Sequence, residues 1–370
     1  MELTLLKNQE YRVEVNDTQK FKVMVMSGSA EIKGQELINE KWYTIKNTKT
    51  VIFTYTGCKL KIDGTCDLQF ISNNTNVPDI LKLFTSLINK ECNDKTFMVV
   101  GKGRTTFCTT IINYFIRLHK KVLFTEIDLK KGNIFPGSLS TIHVDTLVEY
   151  NEHFKLSNVL SFYYGSTEIK NKDLYTLLLS RLKEAIDKKK VDDLHLILCP
   201  EETSKYYQEI VKMFNVDKLI CVGDERKFHM IDVPINKMFI PLSGYINDSS
   251  VDKSITRYFN GLNNEYTPYS FCVKRKWNVV RVGEECLAPE SALPLGGTRK
   301  LDILEIKDVK LENNCVLGIS DAKTSEEIIK SPVLGYCVVI NQDIFKILCT
   351  QTKLPKCSYF IQGEIKYSDF

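Results

Sequence analysis

Apolar and polar residues alternate with period two in Tyr11-Arg12-Val13-Glu14-Val15, in Phe21-Lys22-Val23-Met24-Val25 and in Lys59-Leu60-Lys61-Ile62. Successive side chains of a strand point to opposite faces, so this pattern predicts strands with one buried side. Ser27-Gly28-Ser29, Asn47-Thr48 and Asp63-Gly64 separate them with turn chemistry. Short strands at intervals of about ten residues predict a small sandwich or barrel over residues 1–76.

Near Val77 the period changes. Ile80, Leu81, Leu83, Phe84, Leu87 and Ile88 fall on one helical stripe, which ends before Asn93-Asp94. The pattern then predicts strand 96–100, helix 105–119, strand Val122–Ile127, helix 171–189, strand Leu194–Leu198, helix 202–214 and strand Lys218–Val222. Unbroken apolar strands alternating with helices predict a parallel sheet with helices on both faces. From about residue 266 the pattern is β again: Val279–Val282, Leu301–Ile306, Cys315–Ile319, Leu334–Ile340, Ile344–Leu348 and Tyr359–Ile365, with one short helical stretch near Ser325–Ile329. The predicted architecture is multidomain α/β. A central P-loop α/β domain (77–265) is flanked by an N-terminal β-sandwich domain (1–76) and a C-terminal β-rich domain (266–370).

Composition narrows this picture little. At 370 residues the chain is too long for one core, and 43% hydrophobic with 26% charged residues is ordinary globular composition. A net charge of +4 neither demands nor excludes nucleic acid. Twelve cysteines occur without a C-x-x-C pair, and His119, His143, His153, His195 and His229 lack metal-ligand spacing. The cysteines therefore read as small buried residues rather than zinc ligands. The N-terminus lacks a basic stretch followed by an apolar one, and no apolar run approaches the ~20 residues that span a bilayer. A soluble, intracellular protein without membrane contact is expected.

The densest chemistry lies at residues 96–113, where an apolar strand runs into Gly101-Lys102-Gly103-Arg104-Thr105-Thr106 and then a helix. An intact phosphate loop reads G-x-x-x-x-G-K-[ST]. Its backbone N–H groups wrap the phosphates and its Lys reaches the β/γ-phosphates. Here Lys102 alone separates the glycines, leaving the loop three residues short. Arg104 stands where the Lys belongs, and Thr105 where the Mg²⁺-binding hydroxyl belongs. The turn sits at the C-terminal end of a strand, where such sheets bind ligands.

Ser27–Leu37 fits an SGxAEIFGxEL turn and Val51–Cys58 an xxFTWxGC strand, and through these stretches the chain resembles the polyribonucleotide 5′-hydroxyl-kinase family in its pre-mRNA cleavage and polyadenylation factor branch. Tyr258-Phe259-Asn260-Gly261 is similar to YFYG, Leu293-Pro294-Leu295-Gly296 to LPLG, and Ser331–Tyr336 to SPxLGF. Active members phosphorylate the 5′-hydroxyl of RNA with ATP and Mg²⁺, and the resemblance implies that reaction only where its residues survive. Glu126-Ile127-Asp128 corresponds to the ELDxGQ motif. Asp128 is retained as vestigial catalytic and metal-binding carboxylate, whereas Lys131 replaces the Gln. The resemblance also implies a nucleotide-base contact at Glu10, a nucleotide site of Gly101, Lys102, Gly103, Arg104, Thr105 and Thr106, and Mg²⁺ at Thr105 and Asp128. Phe135–Ser138 and Tyr164–Thr167 match segments that lie against RNA in active members, and both also read as plain turns.

The resemblance also implies a lid helix whose two arginines clamp the transferring phosphoryl group, and their positions are held here by Val251 and Thr256. Lys253 and Arg257 lie nearby, on other helical faces. A T-x-G-W clasp is replaced by Cys199-Pro200-Glu201-Glu202. Loss of one transition-state contact commonly costs ~10²–10³ in rate, and Arg does not substitute for a phosphate-reaching Lys. The expectation is a non-catalytic scaffold subunit of the nuclear cleavage and polyadenylation complex. It would dock other factor subunits through an apolar groove on the central domain and reach pre-mRNA indirectly. ATP bound without turnover remains open. The alternative is a divergent RNA 5′-hydroxyl kinase of tRNA splicing or rRNA processing.

Overall fold

A computed structural model describes residues 1–88, 94–150, 154–189, 194–201, 204–245, 250–261, 265–273, 277–283, 306–356 and 358–367. Within them the chain packs as two compact units. The first comprises residues 1–125, 142–157 and 192–248, and the second 126–141, 158–191 and 249–370.

The first unit begins with strands β1 (Glu2–Leu5), β2 (Gln9–Val15), β3 (Phe21–Gly28), β4 (Glu31–Ile32), β5 (Gln35–Glu36), β6 (Trp42–Ile45), β7 (Thr48–Thr54), β8 (Cys58–Gly64) and β9 (Leu68–Ser72). They form two sheets, ordered β1-β8-β3-β6 and β5-β4-β7-β2-β9. The period-two residues Val13, Val15, Phe21, Val23, Val25, Leu60 and Ile62 point inward from both sheets into one core. The predicted sandwich is thus present.

Helix α1 (Val77–Ile88) follows, then β10 (Thr96–Gly101), α2 (Arg104–Arg117) and β11 (Val122–Glu126). Later come β12 (Ser138–Val144), β13 (Leu160–Tyr163), α3 (Lys172–Lys188), β14 (Leu194–Leu198), α4 (Ser204–Phe214), β15 (Lys218–Val222), α5 (Glu225–Met230) and β16 (Asn236–Ile240). In the first unit the strands run in the order β12-β11-β14-β10-β15-β16. β10 pairs in parallel with β14 and β15, and β15 with β16. Phe97–Val100, Leu196–Leu198 and Leu219–Val222 are buried, as unbroken apolar strands of a covered sheet should be. Helix α2 packs over β10, β14 and β15. The parallel expectation does not extend to β13, which pairs antiparallel with residues 138–141 of β12.

The second unit adds α6 (Val251–Asn260) and strands β17 (Tyr269–Cys272), β18 (Asn278–Val282), β19 (Ile306–Asp308), β20 (Cys315–Ser320), β21 (Val333–Asn341), β22 (Lys346–Cys349) and β23 (Tyr359–Lys366). Their sheet has the order β17-β22-β21-β20-β23-β18-β19 and is antiparallel except for β18–β23. Phe135 and Tyr336 stack at 3.5 Å inside this unit, and the Tyr336 hydroxyl bonds to Ser138 (2.6 Å) and Ser161 (2.5 Å). Segment 293–296 and the first five residues of the predicted strand 301–306 lie outside the described residues.

Candidate functional site

Strand β10 ends at Gly101 and α2 begins at Arg104, so the turn between them is two residues long. Both glycines are left-handed, at φ 93° for Gly101 and 75° for Gly103. A Cβ on Gly101 would lie 2.2 Å from the carbonyl oxygen of Val222 on the neighbouring strand, so only glycine fits there. Lys102 is exposed at the tip of the turn.

Arg104 turns inward and is 2% exposed. Its Nη1 donates to the carbonyl of Gly101 at 2.8 Å and to the Glu201 carboxylate. Glu201 follows β14, where Pro200 accepts the Tyr207 hydroxyl at 2.9 Å and Glu201's own carbonyl accepts Lys227 Nζ at 2.6 Å. Burial lowers the pKa of Lys227, and the Arg104 charge adds to that, while Glu201 opposes it. The loop cation thus already has a carboxylate. Thr105 and Thr106 are half-buried, and their carbonyls accept the hydroxyls of Thr109 (3.0 Å) and Thr110 (2.9 Å).

Next to this turn the first unit contains a cavity with about 740 Å³ of empty space, part of it open to solvent. Glu10 from β2, Gly103, Thr106 and Thr110 from the turn and α2, and Ser243, Gly244 and Tyr245 after β16 all line it. Three of the sequence-predicted residues therefore meet here: Glu10, Gly103 and Thr106. Glu10 is 1% exposed and accepts Arg12 Nε at 2.6 Å. The cavity walls also include Glu31, Lys33 and Lys49, which sequence reasoning missed. Lys49 pairs with Glu14 at 2.9 Å and lies over the Tyr245 ring. Burial drives the Lys33 ammonium below the ordinary lysine range, and its backbone sits at φ 49°.

The sandwich is tied to α2 by a buried polar network. Tyr114 donates to Glu31 at 2.5 Å and meets the Tyr55 hydroxyl at 2.8 Å. Arg117 reaches Glu31 (3.2 Å), Glu36 (2.8 Å) and the Gly34 carbonyl (3.3 Å). Burial raises the Glu31 pKa despite these donors.

A second cluster lies in the other unit, around the end of β11. Glu126 is fully buried and accepts the N–H groups of Asn133 (3.2 Å) and Ile134 (2.9 Å) and the Asn133 amide (2.5 Å). Burial, with the nearby charge of Asp128, pushes its pKa up to about 7. Asp128 is buried and accepts the N–H of Lys130 at 3.1 Å. Arg257 of α6 donates to the Gly132 carbonyl at 3.0 Å, and burial lowers its pKa to about 10 against the opposing pull of Glu126. Counting helical faces placed Arg257 off the lid row, but its length carries the guanidinium to the loop that follows Asp128. Thr256 meets the Tyr367 hydroxyl at 2.6 Å instead.

Phe135–Ser138 and Tyr164–Thr167 bind each other. The Gly137 carbonyl accepts the N–H groups of Tyr164 (2.9 Å) and Gly165 (3.0 Å), and the Gly165 carbonyl accepts that of Glu364 (2.7 Å). Among the described residues no three His, Cys, Asp or Glu side chains cluster as a metal site. The donors expected for Mg²⁺ are one hydroxyl, Thr105, and one carboxylate, Asp128. Thr105 lies in the first unit and Asp128 in the second, and a single protein donor in either holds Mg²⁺ only with substrate phosphates and water completing the shell.

Three family models match the chain. They are the N-terminal beta-sandwich domain of polyadenylation factor (residues 4–91), the mRNA cleavage and polyadenylation factor CLP1 P-loop (100–261) and the pre-mRNA cleavage complex II protein Clp1 (266–369). The polyribonucleotide 5′-hydroxyl-kinase Clp1 of Bos taurus is 27% identical over 409 residues, covering 99% of this chain and 96% of the relative. The human protein of the same name is 26% identical with the same coverage. Among solved structures, one of a Clp1p–Pcf11p (residues 454–563 of the latter) complex matches at TM-score 0.80 with 17% identity, covering 99% of this chain and 98% of that one. Another, described as showing the extended interface between Pcf11p and Clp1p and the basis for ATP loss in a glycine-to-arginine point mutant, matches at TM-score 0.81 with 18% identity, covering 99% and 98%.

Proposed function

Since the chain belongs to the Clp1 family of pre-mRNA cleavage and polyadenylation factors, we propose that it is a non-catalytic scaffold subunit of the nuclear 3′-end processing complex. The observation that carries this reading is the turn at Gly101–Arg104. Its span is too short to wrap a phosphate chain, and its cation is buried against Glu201. Phosphoryl transfer depends almost wholly on positioning and charge stabilisation around the phosphates. An active site without the loop Lys, with the lid positions held by Val251 and Thr256, lacks the means for both.

The partner is proposed to be a Pcf11-type subunit, after the complexes known for the structural relatives, with pre-mRNA reached through it. Any nucleotide in the cavity would act as a brace that stabilises the fold by mass action rather than as a substrate. Size-exclusion chromatography of the full chain with the Pcf11-type subunit of the same organism tests the scaffold reading. Co-elution as a stoichiometric complex is expected, and separate elution at micromolar concentrations contradicts it.

One observation favours the kinase alternative. Arg257 places a guanidinium on the loop after Asp128, where a lid arginine is wanted. Its engagement with the Gly132 carbonyl and its pull toward buried Glu126 supply a structural reason for it.

A further inference from the structure

Two departures from the phosphate-loop pattern, Arg104 for Lys and Glu201 in the place of the clasp, are 97 residues apart in sequence and meet in space. We propose that Glu201 is a built-in substitute for a nucleotide's phosphate: its carboxylate neutralises the loop arginine and closes the turn to polyphosphate chains. The inference deepens the scaffold reading and rests on it only for the kind of ligand refused.

The geometry leaves Arg104 little freedom. The side chain is 2% exposed and anchored at 2.8 Å to the Gly101 carbonyl of its own turn. A phosphate could bind this guanidinium only by displacing Glu201, which is covalently part of the same unit and therefore competes at high effective concentration. The Glu201 backbone is fixed as well, because Lys227 holds its carbonyl at 2.6 Å and Tyr207 holds that of Pro200 at 2.9 Å. A triphosphate would bring negative charge against the half-exposed carboxylate, whose repulsion acts at contact range before salt screens it beyond about 8–10 Å. The cavity beside the turn, walled by Glu10, Thr106 and Tyr245, is untouched by this pairing. Discrimination should therefore fall on the phosphate chain and spare the nucleoside.

Calorimetric titration of the full chain with Mg·ATP, Mg·tripolyphosphate and adenosine tests the proposal. Glu201→Gln keeps the shape and removes the charge. It is expected to raise affinity for ATP and tripolyphosphate about tenfold or more, a change of one full carboxylate charge at contact range, and to leave adenosine unchanged. Unaltered affinity for both polyphosphates overturns the proposal. An equal rise for adenosine also overturns it, because a loosened cavity rather than charge would then be the cause. Glu201→Ser, equally uncharged, replaces the amide if that variant does not fold. Transfer of label from ATP to 5′-hydroxyl RNA by the unmodified chain would sink the scaffold reading without touching this affinity comparison, so the two fail separately.

Discussion

Glu126 offers a quantitative test of how the β11 end is built. The carboxyl is fully buried, and its pKa is pushed from the ordinary glutamate value of 4.5 to about 7, first by burial and then by the Asp128 charge. A raised acid binds its proton in the folded state over a range where the unfolded chain has released it. Stability therefore falls as pH rises through that range. The cost is absent below about pH 4.5, grows between 4.5 and 7, and is complete above 7. At 1.36 kcal/mol per pH unit the full shift corresponds to roughly 3 kcal/mol, and roughly 2–3 kcal/mol of it develops between pH 5 and 8. Glu126→Gln removes the titration. Denaturant curves of both proteins at pH 5, 6, 7 and 8 should show the variant gaining on the unmodified chain by about that amount, with the change concentrated below pH 7. The infrared carbonyl band of a protonated carboxyl should vanish in the variant at pH 6. A pH-independent difference between the two proteins would refute the reasoning.

Two further outcomes follow from the first unit. Gly101→Ala forces a Cβ to within 2.2 Å of the Val222 carbonyl at φ 93°, so it should lower stability by roughly 3 kcal/mol or more, seen as a lower melting temperature or loss of soluble protein. Tyr114→Phe removes a donor from buried Glu31 and the partner of Tyr55. It should cost about 1–3 kcal/mol in the same denaturant assay, and a change below ~0.5 kcal/mol, the usual range of an exposed substitution, would mean that the network contributes nothing.

The strands legible from the chain were those with a strong signal. β2, β3 and β8 alternate cleanly, and β10, β14 and β15 are unbroken apolar runs. β12 and β13 were not, because Ser138, Ser140, Thr141 and Ser161 are buried polar residues satisfied by partners distant in sequence, as in the Ser140–Ser161 hydrogen bond of 2.7 Å. Periodicity carries no trace of such long-range satisfaction. The same limit holds at the turn. The sequence places Arg104 in the lysine position, but that Glu201 would take its charge depends on β10 and β14 being neighbours. Helical-face counting likewise says nothing of where the Arg257 guanidinium goes, since a long side chain can reach beyond its own row, here to the Gly132 carbonyl.

The claim that this chain does not transfer phosphate is tested most directly by incubating it with a 5′-hydroxyl oligoribonucleotide, Mg²⁺ and γ-labelled ATP, beside an active family member. No label on the RNA above a protein-free control is predicted, for the unmodified chain and for Asp128→Ala alike. Label that accumulates with the unmodified chain and disappears with Asp128→Ala would contradict the account.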